Sequence, residues 1–329
     1  MRVLVTGGGG FLGSAICRQL AARNHEVVAF QRSAAEELTS VRNVRIESGD
    51  ICDISVLSRA AEGCDAVIHT AGKAGIWGNP DDYQRINVQG SRNVICACRE
   101  NGIALLVHTS SPSIVHGGGD ISGGDESLPI ASHFKGAYPR SKARAEELML
   151  AANSESLRVT ALRPHLIWGP GDPHFLPRLR HKARGGTLAL PGPDKLVDTT
   201  FVENAALAHL RALAELADSA RCAGKAYFIT NNEPMPQGEI IQNLLAAIGM
   251  DVRIRAVPVA AAMAAGAVCE SAWKLFHLKG EPPVTRFSVE QLTTAHWFDT
   301  SAARRDFGYT PTVTIAEGLE QLRRSTAPS

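Results

Sequence analysis

Tyr138 and Lys142 open a stretch of helical period that continues through Leu148 and Leu150, and their spacing of four puts a phenol and an ammonium on one helix face. A free phenol has a pKa of about 10 and gives up its proton poorly near neutral pH. A neighbouring ammonium favours the phenolate and is expected to lower that value, which would make Tyr138 a usable acid or base. Upstream, the apolar run Leu105-Leu-Val-His-Thr109 reads as a strand that delivers Ser110, Ser111 and Ser113 at its end. From there Ser111 can hydrogen-bond the same substrate oxygen that Tyr138 protonates. A Y-x-x-x-K pair is common on surface helices, so its meaning depends on the other reactant the chain can hold.

That reactant is indicated by the first thirteen residues, which read as a buried strand, a glycine turn and the start of a helix. Val3, Leu4 and Val5 run apolar without alternation, as in a parallel strand covered on both faces. After Thr6 comes Gly7-x-x-Gly10-Phe11-Leu12-Gly13, and Leu12, Ile16 and Leu20 then recur at intervals of four. Lacking a Cβ, the glycines let the backbone turn sharply and let a pyrophosphate reach the free N–H groups of the new helix. An ordinary tight turn is the bland alternative. Its place between a strand and an amphipathic helix favours nucleotide binding.

The second strand, Glu26 to Phe30, ends in Gln31-Arg32-Ser33. A site for NAD(H) usually carries an acidic residue here, on the ribose 2′-hydroxyl, whereas an arginine suits a 2′-phosphate. Arg32 therefore points to NADP(H). Asp50-Ile51 follow the strand Val44–Ile46, where an adenine amino group can be read, and Asp53 is placed to cap the next helix. The strand Ala66–His69 ends in Thr70-Ala71-Gly72, a turn small enough for a cofactor to pass, with His69 expected as a hydrogen-bonded core residue. Asn79-Pro80 begins a helix reaching about Arg99, and the locally costly Asn87 and Gly90 inside it suggest a bonding or packing task. A sixth strand, Val159–Leu162, leads to Arg163-Pro164-His165.

This alternation predicts an α/β chain: a Rossmann-type doubly wound parallel sheet over residues 1–165, segments near 196–220 returning to it, and a smaller substrate-binding lobe over 166–329. Strands are expected at 198–201 and 226–229, helices at 205–216 and 236–248, and a long glycine-rich loop after Ser113. Residues 174–184 are locally basic, read as a solvated helix face or a patch for a carboxylate or phosphate. Val257 to Cys269 is apolar but too short to cross a membrane, which takes about 20 residues. It reads as a packed helix or a greasy lid that could touch a lipid surface. With 34 basic and 33 acidic residues, no global field recruits nucleic acid or an anionic membrane. Seven cysteines without a C-x-x-C pair are expected as reduced thiols of a cytoplasmic protein, and no metal site is expected.

The ordered set of glycine turn, Asp50-Ile51, His69-Thr-Ala71, Asn87-Val-x-Gly90, Thr109-Ser-Ser111, Tyr138-x-x-x-Lys142 and Leu162-Arg-Pro164 resembles the extended short-chain dehydrogenase/reductases, in the 3β-hydroxysteroid dehydrogenase branch. Gly72–Trp77, Leu166–Asp172, Gly280–Pro283 and Arg304–Tyr309 look closer still to the bacterial 2-alkyl-3-oxoalkanoate reductases of long-chain olefin biosynthesis. The resemblance implies that Tyr138 donates the proton, Lys142 binds the ribose and tunes Tyr138, and Ser111, with Ser110 as runner-up, holds the oxygen. It implies cofactor contacts at Gly7, Gly10, Phe11, Leu12, Gly13, Arg32, Asp50, Ile51, Thr70, Ala71, Gly72, Asn87, Pro164 and His165. The expected reaction is NADPH-dependent reduction of the 3-oxo group of a hydrophobic 2-alkyl-3-oxoalkanoic acid by a homodimer. An NAD(P)-dependent 3β-hydroxysteroid or sterol-4α-carboxylate 3-dehydrogenase and a non-catalytic NADP sensor that contacts a protein partner stay open, as does contact with a pathway enzyme. The substrate carboxylate is expected at Arg140, Lys73 or the segment near Arg178.

Overall fold

The computed structural model describes residues 1–33, 35–75 and 77–326, so Ile76 of the Gly72–Trp77 stretch lies outside the described residues. The chain begins β1 (Arg2–Thr6), α1 (Phe11–Ala22), β2 (Glu26–Gln31), β3 (Val44–Ser48), α2 (Ile54–Ala61), β4 (Ala66–His69), α3 (Pro80–Tyr83), α4 (Gly90–Glu100) and β5 (Leu105–Thr109). It continues with β6 (Ile121–Gly124), α5 (Ala137–Ala151), β7 (Arg158–Pro164), β8 (Ile167–Trp168), α6 (Phe175–Lys182), β9 (Thr187–Leu190), β10 (Leu196–Val197) and β11 (Thr200–Phe201). The remainder is α7 (Val202–Ala217), β12 (Ala226–Ile229), β13 (Met235–Pro236), α8 (Gln237–Ala247), β14 (Arg253–Ala256), α9 (Val259–Leu275), α10 (Arg286–Thr293), β15 (His296–Phe298), α11 (Ser301–Phe307) and α12 (Ile315–Thr326).

Seven strands form one parallel sheet in the order β12-β7-β5-β4-β1-β2-β3. From β1 the chain winds outward to β3, then returns to β4 and winds the other way. The crevice at the carboxyl ends of β1 and β4 is thus the switch point where open α/β sheets bind ligands. The apolar strands are buried on both sides. Leu12, Ile16 and Leu20 of α1 pack with Ala205 and Leu213 of α7 on one face, while Leu57, Val94 and Met149 of α2, α4 and α5 cover the other. A third core joins Trp168, Phe201, Leu244 and Ile315 beyond the sheet.

Local signals place several boundaries correctly. Asp53 caps α2, its Oδ1 accepting from the Ser55 and Val56 N–H groups, and Asn79 caps α3 ahead of Pro80. The helix expected from 80 to about 99 runs from Pro80 to Glu100, with a π-helical turn at Gln84–Gln89 that holds Asn87. Two expectations need correction. The glycine-rich loop after Ser113 contains β6, which pairs in parallel with β15, a partner far along the chain that no local pattern of Ile-Ser-Gly-Gly announces. The strand expected at 198–201 is two short ones, β10 and β11, which pair in different sheets and leave Asp198 and Thr199 between them. The apolar stretch from Val257 lies mostly in α9, which packs on α10 while leaving Val268, Leu275 and Phe276 exposed. Among the described residues no helix is long and apolar enough to cross a membrane.

Candidate active site

The turn after β1 is shaped so that only glycine fits. Gly7 has φ +73° and donates its N–H to the Phe30 carbonyl at 2.7 Å, and a Cβ at Gly13 would stand 2.0 Å from the Gly7 carbonyl oxygen. Gly10 caps α1 without any side chain, so the first N–H groups of the helix face an open cavity. At the end of β2 both amide atoms of Gln31 are buried without a hydrogen-bond partner. Such orphaned groups await a polar ligand. Arg32 lies beside the Asp50 carboxyl, whose pKa burial would raise but which the Cys52 N–H, Arg85 and Arg32 together hold below its usual value.

Beneath this turn His69 is the core histidine the sequence suggests: Nδ1 meets the Thr6 hydroxyl at 2.7 Å and Nε2 the Ser91 hydroxyl at 3.1 Å. Burial, then the Lys142 charge, lowers its pKa to about 3. Thr70, Ala71 and Gly72 line the cavity, but Asn87, expected at the cofactor, does not. Its side chain accepts from the Lys73 N–H at 2.6 Å and donates to the Lys73 carbonyl and, at 2.8 Å, to the Ser141 hydroxyl. Asn87 therefore splices the loop after β4 to α5, and this bonding task accounts for a polar residue in the π-turn. Gly90 is explained by packing, since a Cβ there would meet Ile51 at 2.4 Å.

The strand end of β5 and the first turn of α5 bring Ser111, Tyr138 and Lys142 to one wall of the same cavity. The Ser111 hydroxyl lies 3.0 Å from that of Ser113 and also reaches Tyr138. Ser110 turns its hydroxyl into the protein, where it has no partner. The tyrosine's electrostatics differ from expectation. Burial raises the Tyr138 pKa, with the Ser111 hydrogen bond opposing, while Lys142 donates its ammonium to the Thr109 carbonyl at 2.5 Å and has no resolved effect on the phenol. Sharing a helix face does not ensure contact, because the lysine stem is long and a β-strand carbonyl captures its end. Burial lowers the Lys142 pKa to about 8.

The cavity, of about 980 Å³, runs from the glycine turn past Tyr138 to an apolar wall of Leu179, Leu188, Leu190, Val197, Ile240 and Ile241. Gly7, Gly10, Phe11, Leu12, Gly13, Arg32, Asp50, Ile51, Pro164 and His165 all lie on it. Of the charges considered for a carboxylate, Lys73 and Arg178 reach the wall, each paired to an acid (Asp82 at 3.0 Å, Glu281 at 2.7 Å), while Arg140 does not. Both ring nitrogens of His165 are committed: Nδ1 to Asp198 at 2.6 Å and Nε2 to His296 Nδ1 at 3.1 Å. Sequence reasoning missed Asp198 and His296, since nothing local links residues 165, 198 and 296. Among the described residues no group of His, Cys, Asp and Glu could hold a metal ion.

A family model described as the 3-beta hydroxysteroid dehydrogenase/isomerase family matches residues 4–259. The 2-alkyl-3-oxoalkanoate reductase of Stenotrophomonas maltophilia is 50% identical over 330 residues, covering 99% of this chain and 100% of that protein. The human decarboxylating sterol-4-alpha-carboxylate 3-dehydrogenase is 32% identical, covering 98% of this chain and 88% of its own length. The structure of Thermus thermophilus UDP-glucose 4-epimerase in complex with NAD superposes with a TM-score of 0.75 at 24% identity, with 99% of each chain covered, a likeness of fold. The chain is an oxidoreductase with the extended short-chain dehydrogenase/reductase fold and belongs to the 3-beta hydroxysteroid dehydrogenase/isomerase family.

Proposed function

We propose that this protein reduces the 3-oxo group of a hydrophobic 2-alkyl-3-oxoalkanoic acid with NADPH, giving the 3-hydroxy acid. The observation that carries the reading is one cavity joining a glycine cradle, the Ser111/Tyr138/Lys142 wall and an apolar wall suited to alkyl chains. The 50% identity to a protein named 2-alkyl-3-oxoalkanoate reductase supports it. Residues 1–165 with α7 would form the cofactor-binding part and most of 166–329 the substrate lobe. The turn at Gly7–Gly13 would hold the pyrophosphate, the orphaned Gln31 amide the adenosine ribose, and Arg32 its 2′-phosphate. When bound, the nicotinamide dinucleotide supplies the hydride that arrives at the carbonyl carbon.

Tyr138 then gives its hydroxyl proton to the carbonyl oxygen as negative charge gathers there, while Ser111 donates a hydrogen bond to the same oxygen. The raised pKa of Tyr138 suits this direction, because burial keeps the proton on the phenol until the oxygen becomes basic enough to take it. Lys142 places a cation at the end of β5, beneath the reacting groups, and would meet the nicotinamide ribose. Asn87 positions the Lys73 loop against α5 and is a positioning residue. The test is Tyr138→Phe followed by nicotinamide absorbance: NADPH binding should persist while turnover falls at least a hundredfold, in line with a general acid's usual contribution of roughly 10²–10⁴. Undiminished turnover in this variant removes Tyr138 from the mechanism.

A further inference from the structure

Three charged side chains gather between α6 and the connection that follows α9 without balancing one another. Arg178 and Lys182 are four apart on α6 and share a face. Glu281, from the connection between α9 and α10, holds Arg178 Nη2 at 2.7 Å. Lys182 has no carboxylate within ion-pair reach among the described residues, although it lies on the cavity wall. Its pKa is lowered by burial first and by Arg178 second, with Glu281 opposing, so all three charges feel one another. Two cations and one carboxylate leave a net charge of +1. Lys182 is exposed and has no carboxylate to give up, so an incoming anion can pair with it without displacing a partner.

Arg178 and Glu281 come close to Gly75 and to Tyr83, the ring that neighbours Tyr138. A Cβ at Gly75 would stand 3.2 Å from Glu281 Oε1, 3.2 Å from the Tyr83 hydroxyl and 3.9 Å from Arg178 Nη2. Tyr83 donates its hydroxyl to the Gly75 carbonyl at 3.2 Å and stands edge-on to Tyr138 with ring centroids 6.4 Å apart. Phe175 and Leu179, on the same helix, turn to the apolar end of the cavity. A ligand with its oxygen at Tyr138 and alkyl chains along Leu179 would pass this cluster with whatever anionic group it carries.

We propose that Arg178 and Lys182 form the subsite for the substrate's carboxylate, and that Glu281 occupies Arg178 until the substrate arrives. This rests on the β-keto acid reading. Binding exchanges one carboxylate for another at the guanidinium and supplies Lys182 with the counter-ion it lacks. Removing either cation therefore weakens acid binding, whereas removing Glu281 strengthens it. A purely structural role for the ion pair would make all three changes harmful together.

The experiment uses the whole protein in the oxidative direction, because a 2-alkyl-3-hydroxyalkanoic acid is stable where the β-keto acid decarboxylates. NADP+ reduction is followed with that acid and with the secondary alcohol of the same chains lacking the carboxylate. Lys182→Gln and Arg178→Gln are expected to raise KM for the acid about tenfold, the scale of one charged hydrogen bond, with kcat and the alcohol KM little changed. Glu281→Gln should lower KM for the acid. Unchanged acid KM in both cation variants, or equal rises for acid and alcohol, overturns the subsite and leaves the β-keto acid reading standing. Turnover of the alcohol but not the acid by the unaltered protein overturns both.

Discussion

Asp198 and His165 come from opposite sides of a thirty-three-residue separation and meet at 2.6 Å inside the protein, the carboxylate accepting from His165 Nδ1 while its other oxygen takes the Phe298 N–H at 2.8 Å. The chain of bonds continues to His296, whose Nε2 donates to the Gln291 carbonyl at 2.7 Å. Burial, then His165, lowers the His296 pKa to about 3. Asp198 thus pins the segment between β10 and β11 to His165 and to β15.

Replacing Asp198 by Ala takes the buried partner from His165 Nδ1 and orphans the Phe298 N–H. The expected cost is about 2–5 kcal/mol, because two buried groups lose their hydrogen-bond partner at roughly 1–3 kcal/mol each. Urea denaturation at neutral pH measures it. A loss under 1 kcal/mol would mean that these two contacts do not hold the segment between β10 and β11 in place.

Lys142 is expected to set the alkaline side of the proposed reduction. Its folded pKa of about 8 lies below the ordinary 10.5, so the ammonium is lost as pH rises through about 8. The Tyr138 pKa is raised and contributes no limb there. Reductive kcat/KM should be level below about pH 7 and fall above 8, and Lys142→Arg should abolish that limb while retaining some activity. The stability effect has the opposite sense: the folded state is penalised while Lys142 is charged, and the penalty disappears as pH rises from 8 to 10.5.

Arg32 is expected to choose the cofactor. Arg32→Ala should raise the KM for NADPH about tenfold or more and leave that for NADH nearly unchanged. Equal effects on the two, read by nicotinamide absorbance, would show that the 2′-phosphate is not recognised here.

The buried histidines forecast acid lability. His69, His209 and His296 have pKa values lowered by burial to about 3, 4 and 3, and His108 is lowered well below its ordinary value for the same reason. The unfolded chain takes up their protons near pH 6.5, whereas the folded chain does not. Stability is therefore complete above 6.5 and drains as pH falls from 6.5 toward 3, by roughly 1.4 kcal/mol per pH unit for each histidine. Urea midpoints at pH 7.5 and 5.5 should differ sharply. A flat profile would place these residues in hydrated surroundings.

The chain alone determined the glycine turn, the strand ends bearing Ser111 and Thr70–Gly72, and the α5 face with Tyr138 and Lys142. Each rests on short spacing: a turn that only glycine can make, a period of two or four, a cap ahead of a helix. It also indicated Arg32 in place of an acid and the core role of His69. Only the tertiary structure decided that Lys142 reaches the Thr109 carbonyl, that Asn87 splices two elements away from the cavity, that Asp198 and His296 close on His165, and that Glu281 reaches Arg178. Those contacts join residues 14 to 131 positions apart. Such pairs leave no periodic trace in the chain, because they are chosen by how the sheet and the second lobe pack. The local pattern names the chemistry, and the packing sets the charge on each group that performs it.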